Sequence, residues 1–256
     1  MISVSHLCKT YPGADTPSVD DLTFHIGKAE VCGLLGRNGA GKSTTLNLLT
    51  GCLAPTSGSI RIAGTDLLED PTAAKRRIGY APENPPLYPD MTLSEYLVFV
   101  ARAKSVRAPK EEAARIMEKT DLVRYASVRL AALSKGSRQR AGLAQALIGD
   151  PDILILDEPS IGLDPEQITR LRGWIAELGK THTVLLSSHI LSEITLLCGR
   201  ILLLSEGRLV ADETPDGLLK KSGKASLEEA FLALTSDPEA EEAGDPPPVR
   251  GRRRKR

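Results

Sequence analysis

Cysteine is scarce. Cys8, Cys32, Cys52 and Cys198 are scattered and form no C-x-x-C pair. This spacing argues against a disulfide framework or a zinc centre and predicts reduced thiols. Net charge is absent too. Lys+Arg and Asp+Glu each number 33, so the whole chain exerts no pull on nucleic acid or an anionic membrane. Long apolar runs are missing. Ile201–Leu204 is typical of those present, far below the roughly 20 residues a bilayer span needs. Met1–Leu7 has neither a charged n-region nor an apolar h-region, so no signal peptide is expected. Any membrane role is therefore expected to come through a partner.

What remains is ordinary globular composition. At 41% hydrophobic and 26% charged over 256 residues, the chain can bury a full core, as one large α/β domain or as a domain with a small appendage. Short β-rich runs alternate with helical stretches. Val31–Leu35 reads as a buried strand, followed by a glycine turn and a helix from about Lys42. Strands are also expected at Ile60–Ala63, Ile153–Leu156, Thr183–Ser187, Arg200–Ser205 and Arg208–Ala211. The unbroken apolar run Ile153–Leu156 suits a central parallel strand. Thr92-Leu93-Ser94-Glu95 is a capping box that opens a helix toward Ala103, and Pro109 opens a second at its N1 position. Only helical signals lie between Pro89 and Ala132, which predicts a helical insert. Together these predict an α/β domain with a mainly parallel sheet. Ser226-Leu227-Glu228-Glu229 is another capping box, for a last helix to about Leu234. Beyond it come an acidic stretch, Pro246-Pro247-Pro248 and the basic run Arg250–Arg256, a tail expected to be disordered over 236–256.

Chemistry concentrates in two places. Gly36-Arg37-Asn38-Gly39-Ala40-Gly41-Lys42-Ser43-Thr44 fits G-x-x-x-x-G-K-[ST] between a strand and a helix. Glycines there let backbone N–H groups close around phosphates, and the helix start adds a positive dipole end. Lys42 can reach the β and γ phosphates, and Ser43 can offer its hydroxyl to Mg²⁺. The strand Ile153–Leu156 ends in Asp157-Glu158. Strand ends in such sheets face the ligand crevice. Asp157 can hold Mg²⁺ through water, and Glu158 can polarise an attacking water.

Leu133-Ser134-Lys135-Gly136-Ser137-Arg138-Gln139-Arg140 resembles the L-S-G-G-Q signature of ABC ATPases. The order phosphate loop, signature, carboxylate strand and then Ser187-Ser188-His189 is similar to that family's, over roughly Ile2 to Ala211. The resemblance implies a P-loop NTPase core with a mainly parallel sheet, an antiparallel β subdomain and a helical insert. It places the ATPase domain at 1–211, with the insert at about 89–150 and a helical extension at 212–235. It also implies roles. Ser134 and Gly136 would bind the γ-phosphate held by the opposite subunit of a head-to-tail pair, formed with a second copy or a related ATPase. Glu158 would be the general base and His189 the switch histidine. Ser160–Asp164 looks like the D-loop that couples the two sites, and Tyr11 looks like the aromatic that stacks on adenine, with a buried core tyrosine as the alternative.

This chain departs from the family pattern at three points. Lys135 and Ser137 replace Gly and Gln in the signature, Ser160 stands where Thr is common, and the Q-loop position holds Glu83, next to Asn84. Glu83 or Asn84 would do the work of the missing glutamine. The stretches Pro82–Thr92 and Leu133–Leu147 resemble the ATPases of ABC-2-type exporters, including those for gliding motility, copper processing of nitrous-oxide reductase and antibiotic export. ATP, Mg²⁺ and a separate integral membrane permease are the ligands and partner this implies. The subunit would then sit in the cytoplasm, peripheral to the inner face of the cell membrane. The alternative is a non-transport ABC ATPase acting on nucleic acid or ribosomes. Its only support is the basic tail. A single cassette and the lack of a long heptad segment between Gly41 and Ser134 weigh against it, so no nucleic-acid partner is expected.

Overall fold

The computed structural model describes residues 1–236. The expected acidic, proline-rich and basic tail lies outside the described residues apart from Ser236. Along the chain, β1 (Ile2–Lys9) pairs antiparallel with β2 (Val19–Ile26), and β3 (Val31–Gly36) leads through the glycine loop into α1 (Lys42–Leu49). β4 (Ser57–Ile62) lies on the other side of β1 and carries the short β5 (Thr65–Asp66). The strand expected at Ile60–Ala63 therefore starts earlier, and Ala63 is already in a turn at φ +50°. α2 (Pro71–Arg76) precedes β6 (Ile78–Ala81).

The helical insert follows as α3 (Leu93–Ala103), α4 (Pro109–Lys119), two single 3-10 turns and α5 (Lys135–Leu147). Sequence sets its boundaries. Thr92 and Glu95 exchange both bonds of the capping box, Pro109 takes N1, and the Ser134 hydroxyl accepts from Ser137 N–H. β7 (Ile153–Asp157), α6 (Pro165–Leu178), β8 (Thr183–Ser188), α7 (Leu191–Leu197), β9 (Arg200–Ser205) and β10 (Arg208–Glu213) complete the core. The last strand runs two residues past the expected Ala211. α8 (Pro215–Ser222) and α9 (Leu227–Thr235) pack beside β10. At α9 only half of the expected capping box forms, with Ser226 accepting from Glu229 N–H.

Two sheets result. The larger runs β10-β9-β3-β8-β7-β6, parallel throughout except for β10. The smaller runs β2-β1-β4-β5 and is antiparallel. The Asp20 N–H donates to the Gly207 carbonyl at 2.8 Å and stitches β2 to the β9–β10 turn. Alternation along the central strands divides the core between them. Ile153, Ile155, Leu185, Leu202 and Leu204 join Cys32 and Leu34 in a cluster shared with β1, β2, β4 and α1. Leu154, Leu156, Val184, Leu186, Ile201 and Leu203 face the opposite way, into a cluster with the helical insert and α6. Both faces of β7 are thus buried, which is why it reads as an unbroken apolar run.

Candidate functional site

The site lies at the C-terminal ends of the parallel strands. β3 ends at Gly36, where an added Cβ would sit 2.7 Å from the Leu204 carbonyl oxygen, so only glycine lets the loop leave the sheet here. Gly41 caps α1 at φ +97°, in the left-handed region, and a Cβ would meet the Ser18 oxygen at 2.5 Å. No side chain caps this helix start. Its free N–H groups, with the dipole behind them, therefore face the loop mouth and suit an anion. Arg37, Asn38, Gly39 and Ser43 are exposed around that mouth, Thr44 is half-buried, and Ala40 is buried beneath it.

Lys42 is buried under the loop. Its Nζ donates to the Gly36 oxygen at 2.7 Å and the Arg37 oxygen at 3.2 Å, and lies 4.0 Å from Glu158 Oε1. Burial pushes its ammonium below the usual lysine range, while Glu158 and Asp157 pull it back up.

Asp157 closes β7 and Glu158 follows it; both are buried. Ser187, at the matching position of β8, bridges them. Its hydroxyl donates to Asp157 Oδ1 at 2.6 Å and accepts from Glu158 N–H at 2.9 Å. Burial raises the Asp157 carboxyl. The Ser187 bond lowers it, Glu158 and Glu83 raise it further, and Lys42 opposes them. Glu158 holds φ +47°, unusual for a side chain with a Cβ. That turn brings its Oε2 within 2.9 Å of His189 Nδ1. Ser187 had no assigned role on sequence. The available signal was a pair of hydroxyl residues ending a fully buried apolar strand, since a buried hydroxyl needs a partner.

The other expected residues fall in three places. Glu83 follows β6 closely enough to perturb Asp157, whereas Asn84 is exposed. Tyr11 is no core residue: it is 40% exposed, its hydroxyl is 3.5 Å from Thr44 Oγ1, and Lys9 Nζ lies 5.6 Å from its ring centre. Ser134 and Gly136 stand apart at the head of α5. There Ser134 is exposed, and a Cβ on Gly136 would meet the Gln167 side chain of α6 at 2.2 Å. The cavity beside them, about 200 Å³, is bordered by Tyr125, Arg140, Asp164 and Arg170 and by no residue of the phosphate loop.

A glycine cradle over a buried lysine, facing two strand-end carboxylates, defines a P-loop nucleoside-triphosphate site. Residues 19–161 match the model of the ABC transporter family, and the chain belongs to that family as an ATP-binding and ATP-hydrolysing subunit. It is 39% identical over 225 residues to the Nod factor export ATP-binding protein I of Paraburkholderia xenovorans (strain LB400), covering 83% of this chain and 71% of that one. To the bacitracin transport ATP-binding protein BcrA of Bacillus licheniformis it is 37% identical over 230 residues, covering 89% and 74%. A solved ATP-binding subunit of an ABC transporter superposes with a TM-score of 0.84 at 34% identity, over 92% of this chain and all of that one.

Proposed function

We propose that this subunit powers export through a separate integral membrane permease of the ABC-2 type, working as one of a head-to-tail pair at the cytoplasmic face of the membrane. The observation that carries the pairing is a division within the site. Lys42, Asp157, Glu158, Ser187 and His189 form one connected cluster, while Ser134 is exposed elsewhere at the head of α5, with Gly136 buried just behind it against α6. A second copy turned head to tail supplies the missing half. One of the two relatives is named for export and the other for transport, which supports the export reading. Among the described residues no helix is long and apolar enough to cross a membrane.

In this reading Tyr11 stacks on the adenine, and the loop N–H groups together with Lys42 hold the β and γ phosphates of ATP. Ser43 and Asp157 are hard oxygen donors suited to Mg²⁺, which keeps several waters and takes only one or two protein ligands beside the phosphates. No cluster of three potential ligand residues occurs among the described residues, as such a site allows. When bound, Mg²⁺ neutralises charge on the β and γ oxygens. Glu158 orients the attacking water and takes its proton. His189 steadies Glu158 through Nδ1 and faces the γ-phosphate, and Glu83 fills the Q-loop position beside the carboxylates. Ser134 and Gly136 of the second copy close over the γ-phosphate, so ATP joins the two subunits and hydrolysis frees them.

The test is a pair of variants. Glu158→Gln keeps the hydrogen-bonding shape and loses the base, worth about 10²–10⁴-fold in rate. It should bind ATP, turn over almost none, and run as a dimer on gel filtration with ATP and Mg²⁺. Adding Ser134→Arg should restore the monomer. Dimers that survive Ser134→Arg, or wild-type hydrolysis by Glu158→Gln, would overturn the shared-site reading.

A further inference from the structure

We propose that Glu193 is a positioning residue for hydrolysis, whose carboxylate ties the segment after Glu158 to the segment before His189. It rests on the reading of Glu158 as base and His189 as its γ-phosphate-facing neighbour. Glu193 stands in the first turn of α7 and is 7% exposed. One oxygen, Oε2, accepts two hydroxyls: Ser160 Oγ at 2.5 Å and Ser188 Oγ at 3.3 Å. Ser160 is two residues beyond Glu158, and Ser188 immediately precedes His189. The Ser188 hydroxyl also accepts from the Ile190 N–H at 2.9 Å, so the turn that carries His189 hangs from the same knot.

Packing alone does not call for a carboxylate here. Leu171, Ile175, Leu186 and Leu197 border the same small cavity; Arg172 borders it too, but the hydrogen bonds to Glu193 come from the two serines, and an apolar side chain would fill the position. A buried carboxylate whose bonds come from neutral hydroxyls is disfavoured relative to such a residue. What the carboxylate adds is an acceptor that both serines reach.

The need for that acceptor shows at Glu158. Its backbone sits at φ +47°, and a residue in that region stays there only when its surroundings over-determine it. Ser187 Oγ holds its N–H from one side. The Ser160–Glu193 bond anchors the chain on the other side, two residues on. Losing the second anchor leaves Glu158 and His189 free to drift relative to each other. A misplacement near 1 Å can cost about 100-fold in rate. The phosphate loop makes no bond to this knot, so ATP binding should not sense the change.

Steady-state ATPase kinetics on the full chain test this. Glu193→Ala should lower kcat by about 10- to 100-fold, with KM for ATP within about twofold of wild type. Glu193→Gln keeps an acceptor oxygen and should retain most of kcat. A residue that served only the α7 dipole would lose its charge equally in both variants, and Gln would offer no rescue. Ser160→Ala should lower kcat in part and add nothing on top of Glu193→Ala; it carries the test if Glu193→Ala does not fold. Unchanged kcat in a folded Glu193→Ala, a parallel change in kcat and KM, or failure of Gln to rescue would overturn the proposal. If Glu158→Gln hydrolyses ATP normally, the underlying mechanism fails. If Glu158→Gln is inactive while Glu193→Ala turns over normally, only the tie fails.

Discussion

Lys42 holds two backbone carbonyls and lies 4.0 Å from Glu158 Oε1. It is therefore poised rather than free, and phosphate must compete with those oxygens for its three donors. Charge-assisted bonds contribute about 1.5–3 kcal/mol each. Lys42→Ala should weaken ATP binding by at least about tenfold in calorimetric titration; wild-type affinity would refute the assignment. Tyr11 is exposed and already held by Thr44 and Lys9, so its removal should unsettle no core. Stacking contributes about 0.5–1.5 kcal/mol beyond buried area. Tyr11→Ala should thus bind ATP several-fold more weakly while its melting temperature stays at the wild-type value. Unchanged affinity would remove Tyr11 from the site. Lys42, Asp157 and Glu158 were legible in the sequence because their motifs force the chemistry at a fixed spacing. Ser187 and Glu193 were not, because their meaning comes from neighbours about 30 residues away in the chain.

At the scale of elements, the central strands buried on both faces were legible, and the half-exposed β4 and β10 were legible in part, whereas β1 and β2 were not. β3, β7, β8 and β9 are apolar runs. β1 and β2 alternate with polar residues and are broken by bulges, with His6 and Asp21 at positive φ, so neither reads as a strand. α6 was not anticipated, although Asp164 and Pro165 at its start form an N-cap and N1 signal. α5 has a less visible support. Lys104, just past α3, reaches across to donate to the Gln145, Ala146 and Ile148 oxygens at the end of α5. Burial lowers its ammonium to about 8, partly opposed by Glu112. The folded state therefore releases this proton more readily than the unfolded chain. The penalty for burying the charge is present below about pH 8 and is relieved as pH rises toward the unfolded value. Wild type should gain stability relative to Lys104→Met between pH 7.5 and 9.5, a window set by the lowered value of about 8. Parallel urea-denaturation curves at both pH values would show otherwise.

At the scale of the whole molecule, one strand belongs to both halves of the core. Each face of β7 is anchored in a different apolar cluster, and each edge is hydrogen-bonded, to β6 and to β8. No partial opening frees it: lifting off the antiparallel sheet leaves it held by the insert, and the reverse also holds. Its amides should therefore exchange with deuterium only through global unfolding, and Leu154, Ile155 and Leu156 should be among the slowest in the protein. The exposed turn at Tyr11–Ala14 should exchange orders of magnitude faster. Rapid labelling of β7 would mean that the two clusters open independently. If it labels slowly, the protein can loosen at the Tyr11–Ala14 turn and at the insert without losing the register of Asp157 and Glu158. Movement at the periphery and fidelity at the reacting atoms then cease to compete, because the carboxylates ride on the last part of the chain to let go.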